Sequence, residues 1–137
     1  MSALNPPNIL IVDDQELMYR VVQATLKPLG ARLSWAKSGA EAINHIETVG
    51  VPDVIVLDFS MPDQDGVETL SHIRKLASGE SIPVLMLTAR DQTHIRQEAE
   101  GLKVHSFMTK PFSPNLLLGT IRDIFANLPP KRPDSAK

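Results

Sequence analysis

The sequence contains no cysteine. That excludes disulfides, thiolate metal sites and cysteine nucleophiles, and it is compatible with a reducing compartment. There is little excess charge of either sign: 14 Lys and Arg stand against 16 Asp and Glu, a formal net charge of -2. Nothing therefore drives the chain toward nucleic acid or acidic lipid. No apolar run approaches the roughly 20 residues that a membrane helix needs. The start, MSALNPPN, has neither the basic region nor the apolar core of a secretory signal. A cytoplasmic chain is expected, without a membrane or nucleic-acid partner of its own. Internal repeats and low-complexity tracts are also absent. What is present is 137 residues, 42% hydrophobic and 22% charged, the size and balance of one globular domain with a proper core.

Both ends read as unstructured. Residues 1–7 carry Pro6 and Pro7, and residues 129–137 (PPKRPDSAK) combine three prolines with charges and nothing to bury. Between them, short apolar runs stand at 9–12 (ILIV), 54–57 (VIVL) and 84–87 (VLML). Each is continuous rather than alternating, as expected for strands covered on both faces. RLSWA (32–36) and VHSFM (104–108) are weaker strand candidates.

Helical patterns separate these runs. Leu17, Val21 and Ala24 share a face in the first. Ser38 and Glu41 form a capping box before Ala42, Ile43 and Ile46, and Asp65 with Glu68 repeats that signal before Leu70 and Ile73. Residues 91–101 carry a thin stripe of Ile95 and Ala99, continued by Leu102, so this fourth helix is expected to be the least firmly held. Ser113 and Pro114 start a fifth helix through Leu117, Leu118, Ile121 and Phe125. Five strands alternating with five helices make βα units, and right-handed crossovers turn these into a parallel sheet with helices on both faces. In such a sheet, ligands bind beyond the carboxyl ends of the strands.

The residues at those ends are Asp13 and Asp14 after the first strand, Asp58 after the third, Thr88 after the fourth and Lys110 after the fifth. Three carboxylates within several ångströms repel one another unless a cation compensates, and a hard, oxygen-seeking Mg²⁺ is the natural choice. A backbone carbonyl near Ser60 is a further candidate ligand. Lys110 and Thr88 have no place in a simple metal site, but an ammonium and a hydroxyl suit an arriving phosphoryl group. A carboxylate can itself accept that group as a nucleophile. Asp58 fits this role because it ends its run alone, whereas the Asp13/Asp14 pair suits the ion.

The order ILIVDD, VIVLDFSMPDQDG, VLMLTA, SFMTKPF resembles the receiver domain of bacterial two-component response regulators, the group that includes the single-domain chemotaxis regulator. The resemblance covers about residues 8–128. It implies a flavodoxin-like (βα)5 fold, a doubly wound five-stranded parallel sheet of strand order 2-1-3-4-5. It implies that Asp58 is the phosphoacceptor, taking its phosphoryl group from a phosphohistidine on a sensor histidine kinase or histidine phosphotransfer protein. Asp13, Asp14, Asp58 and the Ser60 carbonyl would hold Mg²⁺, while Thr88 and Lys110 would contact the phosphoryl group. Pro111 would follow a cis peptide bond. Met61, Pro62 and Gly66 match the loop after the phosphoacceptor. Phe107 stands where the family carries a switch aromatic, more often Tyr, and so lacks a hydroxyl.

Phosphorylation would then alter the surface of the fourth helix, fifth strand and fifth helix for a downstream protein target, and the family also allows a homodimer through that face. The chain would catalyse only its own phosphorylation and dephosphorylation. Two rival readings exist: a receiver-shaped interaction module that is never phosphorylated, and an aspartyl-phosphate phosphohydrolase. The haloacid dehalogenase type of the latter carries Asp-x-Asp after its first strand, where this sequence has Asp13-Asp14-Gln15. The four histidines (His45, His72, His94 and His105) show no ligand spacing, Met61, Met86 and Met108 read as core filler, and Trp35 is expected to pack on an outer strand.

Overall fold

A computed structural model of the chain describes residues 6–59, 65–76, 79–88, 96–99 and 101–128. The elements run β1 (Asn8–Val12), α1 (Glu16–Leu26), a 3-10 turn (Lys27–Leu29), β2 (Arg32–Ala36), α2 (Gly39–Thr48), β3 (Val54–Asp58), α3 (Gly66–Lys75), β4 (Val84–Thr88), β5 (Ser106–Thr109) and α4 (Pro114–Ala126). The fourth of the five expected helices, over 91–101, falls mostly outside the described residues; 96–98 within it are helical.

All five strands pair in parallel, in the order β2-β1-β3-β4-β5. The chain winds outward from β1 to β2 and then returns past β1 to β3. The crevice beside β1 is therefore the point where strand order reverses. Every residue of β3 and β4 is buried, as are the last four of β1, which explains their unbroken apolar runs. The edge strands β2 and β5 are only partly covered.

The sheet divides the core into two layers. On one face Leu10, Val12, Ile55, Leu57, Val84 and Met86 pack with Ala42 and Ile46 of α2 and Leu70 and Ile73 of α3. On the other, Ile9, Ile11, Val54, Val56, Leu85 and Leu87 pack with Val22 and Leu26 of α1 and Leu117, Ile121 and Ile124 of α4. Neighbouring residues of one strand thus serve opposite layers, as the strand period of two demands. Among the described residues no helix is long and apolar enough to cross a membrane.

The helix starts follow their caps. Ser38 Oγ accepts from the Glu41 amide at 3.1 Å, but Glu41 Oε1 takes the Lys37 amide rather than that of Ser38, so this box is half formed. The Asp65/Glu68 box is reciprocal, and Ser113 caps α4 with Pro114 in its first turn.

Three expectations need correction. The expected core face of α1 is not the buried one: Leu17 is 75% and Val21 41% exposed, and Ala24 is exposed too. Met18, Val22 and Leu26 take the inward position instead. Both stripes have helical spacing, and only the direction in which the chain leaves β1 selects between them. The fifth strand runs Ser106–Thr109 rather than 104–108. Lys103 has a positive φ of 61°, and Arg74 of α3 donates to the carbonyls of Leu102 (2.7 Å) and Lys103 (3.0 Å). That segment is tied to the helix before it can join β4. Finally, the Pro7 carbonyl accepts from the Arg32 amide at 2.8 Å, so the ordered chain begins before residue 8.

Candidate functional site

The site forms at the carboxyl edge of β1, β3, β4 and β5. Register explains the convergence: Val12 lies level with Leu57, Asp58 with Leu87, and Thr88 with Thr109. Asp13 therefore follows β1, Asp58 and Thr88 end β3 and β4, and Lys110 follows β5, four adjacent strands. Asp13 is 1% and Asp58 3% exposed, while Asp14 is exposed. Each of these three carboxylates offers an oxygen within 4.8 Å of the others. The Asp13/Asp14 pair is thus split, one member inside the crevice and one at its mouth.

Lys110 reaches into the cluster. Its Nζ lies 2.8 Å from Asp58 Oδ1 and 3.5 Å from Asp13 Oδ2. Its amide donates to the Thr88 carbonyl at 2.7 Å, which anchors the turn that aims the side chain. The Lys110–Pro111 peptide bond is cis. Burial works against the Lys110 charge, but the hydrogen bond and Coulombic attraction of Asp58, with Asp13 adding to both, outweigh it and raise the lysine pKa. Asp13 is pushed up from the ordinary 3.8, first by burial and then by the Asp58 charge, against the lowering effects of the Gln15 amide and Lys110. The Gln15 amide donates to Asp13 Oδ1 at 2.9 Å.

One ammonium against three carboxylates leaves the cluster short of positive charge, and the Asp58 repulsion adds to the burial that raises the Asp13 pKa. The donor set is entirely oxygen. It fits a small hard cation such as Mg²⁺ far better than a soft one. Asp13, Asp14 and Asp58 are the residues that could hold it. Ser60, the fourth expected ligand, lies outside the described residues, as do Met61 and Pro62.

Gly66 brings the start of α3 against the end of β3. A Cβ there would meet the Asp58 carbonyl oxygen and Phe59 Cα at 2.8 Å each, so only glycine allows the approach. The Gly66 amide donates to the Phe59 carbonyl at 2.7 Å.

Asp13, Asp58 and Lys110 are in step with the residues facing α1 and α4. Thr88 and Phe107 are in step with the opposite layer, where Phe107 pairs with Met86 and is half-buried against the α2/α3 core. The Arg96 guanidinium lies over the Phe107 ring, 4.7 Å from its centroid. That contact was not legible in the sequence. Trp35 lies on the edge strand β2 as expected, but its reach was not legible: its Nε1 donates to the Asp13 main-chain carbonyl at 2.8 Å. Pairing the two strands in register would have put Trp35 level with Ile11, but not shown where the indole reaches.

The chain is similar to known proteins. The family described as response regulator receiver domain matches residues 9–122. The chain is 38% identical over 120 residues to the transcriptional regulatory protein TrcR of Mycobacterium tuberculosis, covering 88% of this chain and 46% of that one. It is 31% identical to an uncharacterised 14.6 kDa protein of Leptolyngbya boryana, covering 95% and 98%. It therefore spans about half the length of some curated relatives and nearly all of another. Among solved structures, chemotaxis protein CheY4 of Vibrio cholerae superposes with a TM-score of 0.81 at 29% identity, covering 87% of this chain and 98% of that one.

Proposed function

Because this chain belongs to the response regulator receiver domain family of two-component systems, we propose that it receives a phosphoryl group on Asp58 from a phosphohistidine of a histidine kinase or phosphotransfer protein, and acts in the cytoplasm. The observation that carries this reading is the Asp58 carboxylate itself: 3% exposed, 2.8 Å from Lys110 Nζ, and within 4.8 Å of two further carboxylates. Structural burial alone would not gather so much negative charge around one nucleophile.

In the step, an Asp58 carboxylate oxygen attacks phosphorus, a P–O bond forms, the P–N bond breaks, and the imidazole leaves and takes a proton from solvent. Bound Mg²⁺, held by Asp13, Asp14 and Asp58, would supply positive charge to the transferring phosphoryl oxygens. Lys110 supplies the rest from its pre-set position at no reorganisation cost. Thr88 ends the adjacent strand, and its hydroxyl would turn toward the new anion. Its departure toward the phosphoryl group would free space on the face that holds Phe107, biasing the aromatic between two positions. The chain's own chemistry is then limited to gaining and losing this group.

The phosphodonor must approach along α1, which leaves the site edge directly after Asp14. Leu17 and Val21 offer it an exposed apolar contact. The test uses intact mass spectrometry after incubation with Mg²⁺ and acetyl phosphate. An addition of about 80 Da (the mass of one phosphoryl group), lost on mild alkaline treatment and absent in Asp58→Asn, is the expected result from acyl-phosphate chemistry. A folded protein that gains no such adduct would support the non-phosphorylated interaction module instead.

A further inference from the structure

The indole of Trp35 extends from edge strand β2 to the ion-site residue of the neighbouring strand. Trp35 lies level with Ile11, yet its Nε1 passes Val12 and donates to the Asp13 carbonyl at 2.8 Å. The ring is itself held: it stacks on Tyr19 of α1, centroids 4.9 Å apart and planes 4° from parallel, and Lys37 Nζ lies 5.2 Å from its centroid. With Trp35 in place, the Asp13 amide is bonded to Ala36, its carbonyl to the indole and its Oδ1 to the Gln15 amide. The remaining oxygen, Oδ2, is the one that faces Lys110.

We infer that Trp35 is a positioning residue for the divalent-cation site, fixing the main chain of Asp13 so that its carboxylate is presented to the ion already oriented. The inference rests on the proposed Mg²⁺-dependent function. Its physical basis is that groups which orient a metal ligand from behind reduce the ordering that binding would otherwise require, and their loss typically weakens affinity. A half-buried edge tryptophan could satisfy its N–H with water. Here that donor is spent on the main-chain carbonyl of Asp13, a member of the acidic cluster. Because Trp35 is the only tryptophan in the chain, its emission also reports on the site.

The experiment uses the full chain, with Trp35→Phe, which keeps an aromatic ring for the stack and removes the donor, and Asp13→Asn as a site control. Mg²⁺ affinity is measured by isothermal titration calorimetry well below the melting temperature, and Trp35 emission is followed in the same titration. The expected result is a saturable emission change in the wild type that tracks the calorimetric Kd and is lost in Asp13→Asn. Folded Trp35→Phe should bind Mg²⁺ about three- to tenfold more weakly, the range for one net hydrogen bond behind a ligand. Wild-type emission that stays constant at saturating Mg²⁺ overturns the inference, and this holds even if Trp35→Phe does not fold. Equal Mg²⁺ affinity in folded Trp35→Phe and wild type overturns it while leaving the proposed function intact. A wild type that binds no Mg²⁺ overturns both.

Discussion

Asp13→Asn should make the protein more stable when Mg²⁺ is removed, although it damages the site. At an effective dielectric constant of about 20, carboxylates within 4.8 Å of each other repel by at least about 3.5 kcal/mol, and an ammonium at 3.5 Å attracts by about 4.7 kcal/mol. Asp13 faces two such carboxylates and one such ammonium, so the balance is repulsive by at least about 2 kcal/mol before its own desolvation is counted. Solvent around exposed Asp14 and the partly exposed lysine reduces this, leaving a gain of about 1–2 kcal/mol for the neutral side chain. Asn keeps the Oδ1 acceptor for the Gln15 amide, and the Nδ2 donor that replaces Oδ2 has the Asp14 and Asp58 carboxylates beside it as acceptors. In EDTA at pH 7.5 the melting temperature should rise by roughly 3–8 °C.

The pH dependence carries a sign that can be checked. The folded-state pKa of Asp13 lies above its ordinary 3.8. Between those two values the folded wild type binds more protons than the unfolded chain, so its stability falls as pH rises through that window. Below it, protonated Asp and Asn are nearly equivalent and the two melting curves should meet; above it, the gap should be fully open. Mg²⁺ at ten times its Kd should add about 1.4 kcal/mol to the wild type and little to the variant, closing the gap. Thermal melts by circular dichroism across pH, with and without Mg²⁺, measure all of this. A variant that melts below wild type in EDTA at neutral pH would refute the electrostatic reasoning.

Other substitutions separate neighbouring roles. Gly66→Ala forces a methyl to 2.8 Å from the Asp58 carbonyl oxygen and Phe59 Cα, so it should destabilise by about 1–3 kcal/mol in denaturant unfolding and slow adduct formation at Asp58. Arg74→Ala leaves the carbonyls of Leu102, Lys103 and Gly79 without their shared donor; a loss of about 2–3 kcal/mol is expected, with faster amide exchange at the start of β5 than in β1. The double change Leu17→Ser and Val21→Ser alters exposed residues and should move stability by less than about 0.5 kcal/mol. It should slow phosphotransfer from a phosphohistidine protein while the rate from acetyl phosphate stays constant.

What could be read in advance follows the physics of each position. β1, β3 and β4 were visible because burial on both faces leaves no room for polar alternation. The convergence of Asp13, Asp58 and Lys110 could be read because a parallel sheet delivers strand ends to one edge, so they meet through topology rather than through spacing in the chain. The inward face of α1 was not, since Leu17/Val21/Ala24 and Met18/Val22/Leu26 have equally helical spacing. The start of β5 was displaced by Arg74, whose partners lie nearly thirty residues away and leave no local mark. The Trp35 bond depends on a side-chain rotamer across two strands, which no linear pattern encodes.

The division of the sheet into two layers has a consequence for wiring. Asp58 and Lys110 are in step with the layer of α1 and α4, whereas Thr88 and Phe107 are in step with the opposite layer. On the proposed function, the carboxylate that is modified and the aromatic that responds would therefore lie on different sides of one sheet. A donor seated against α1 would leave the Phe107 side open to a listener, and residues on either side could drift to suit a new correspondent without rewriting the other.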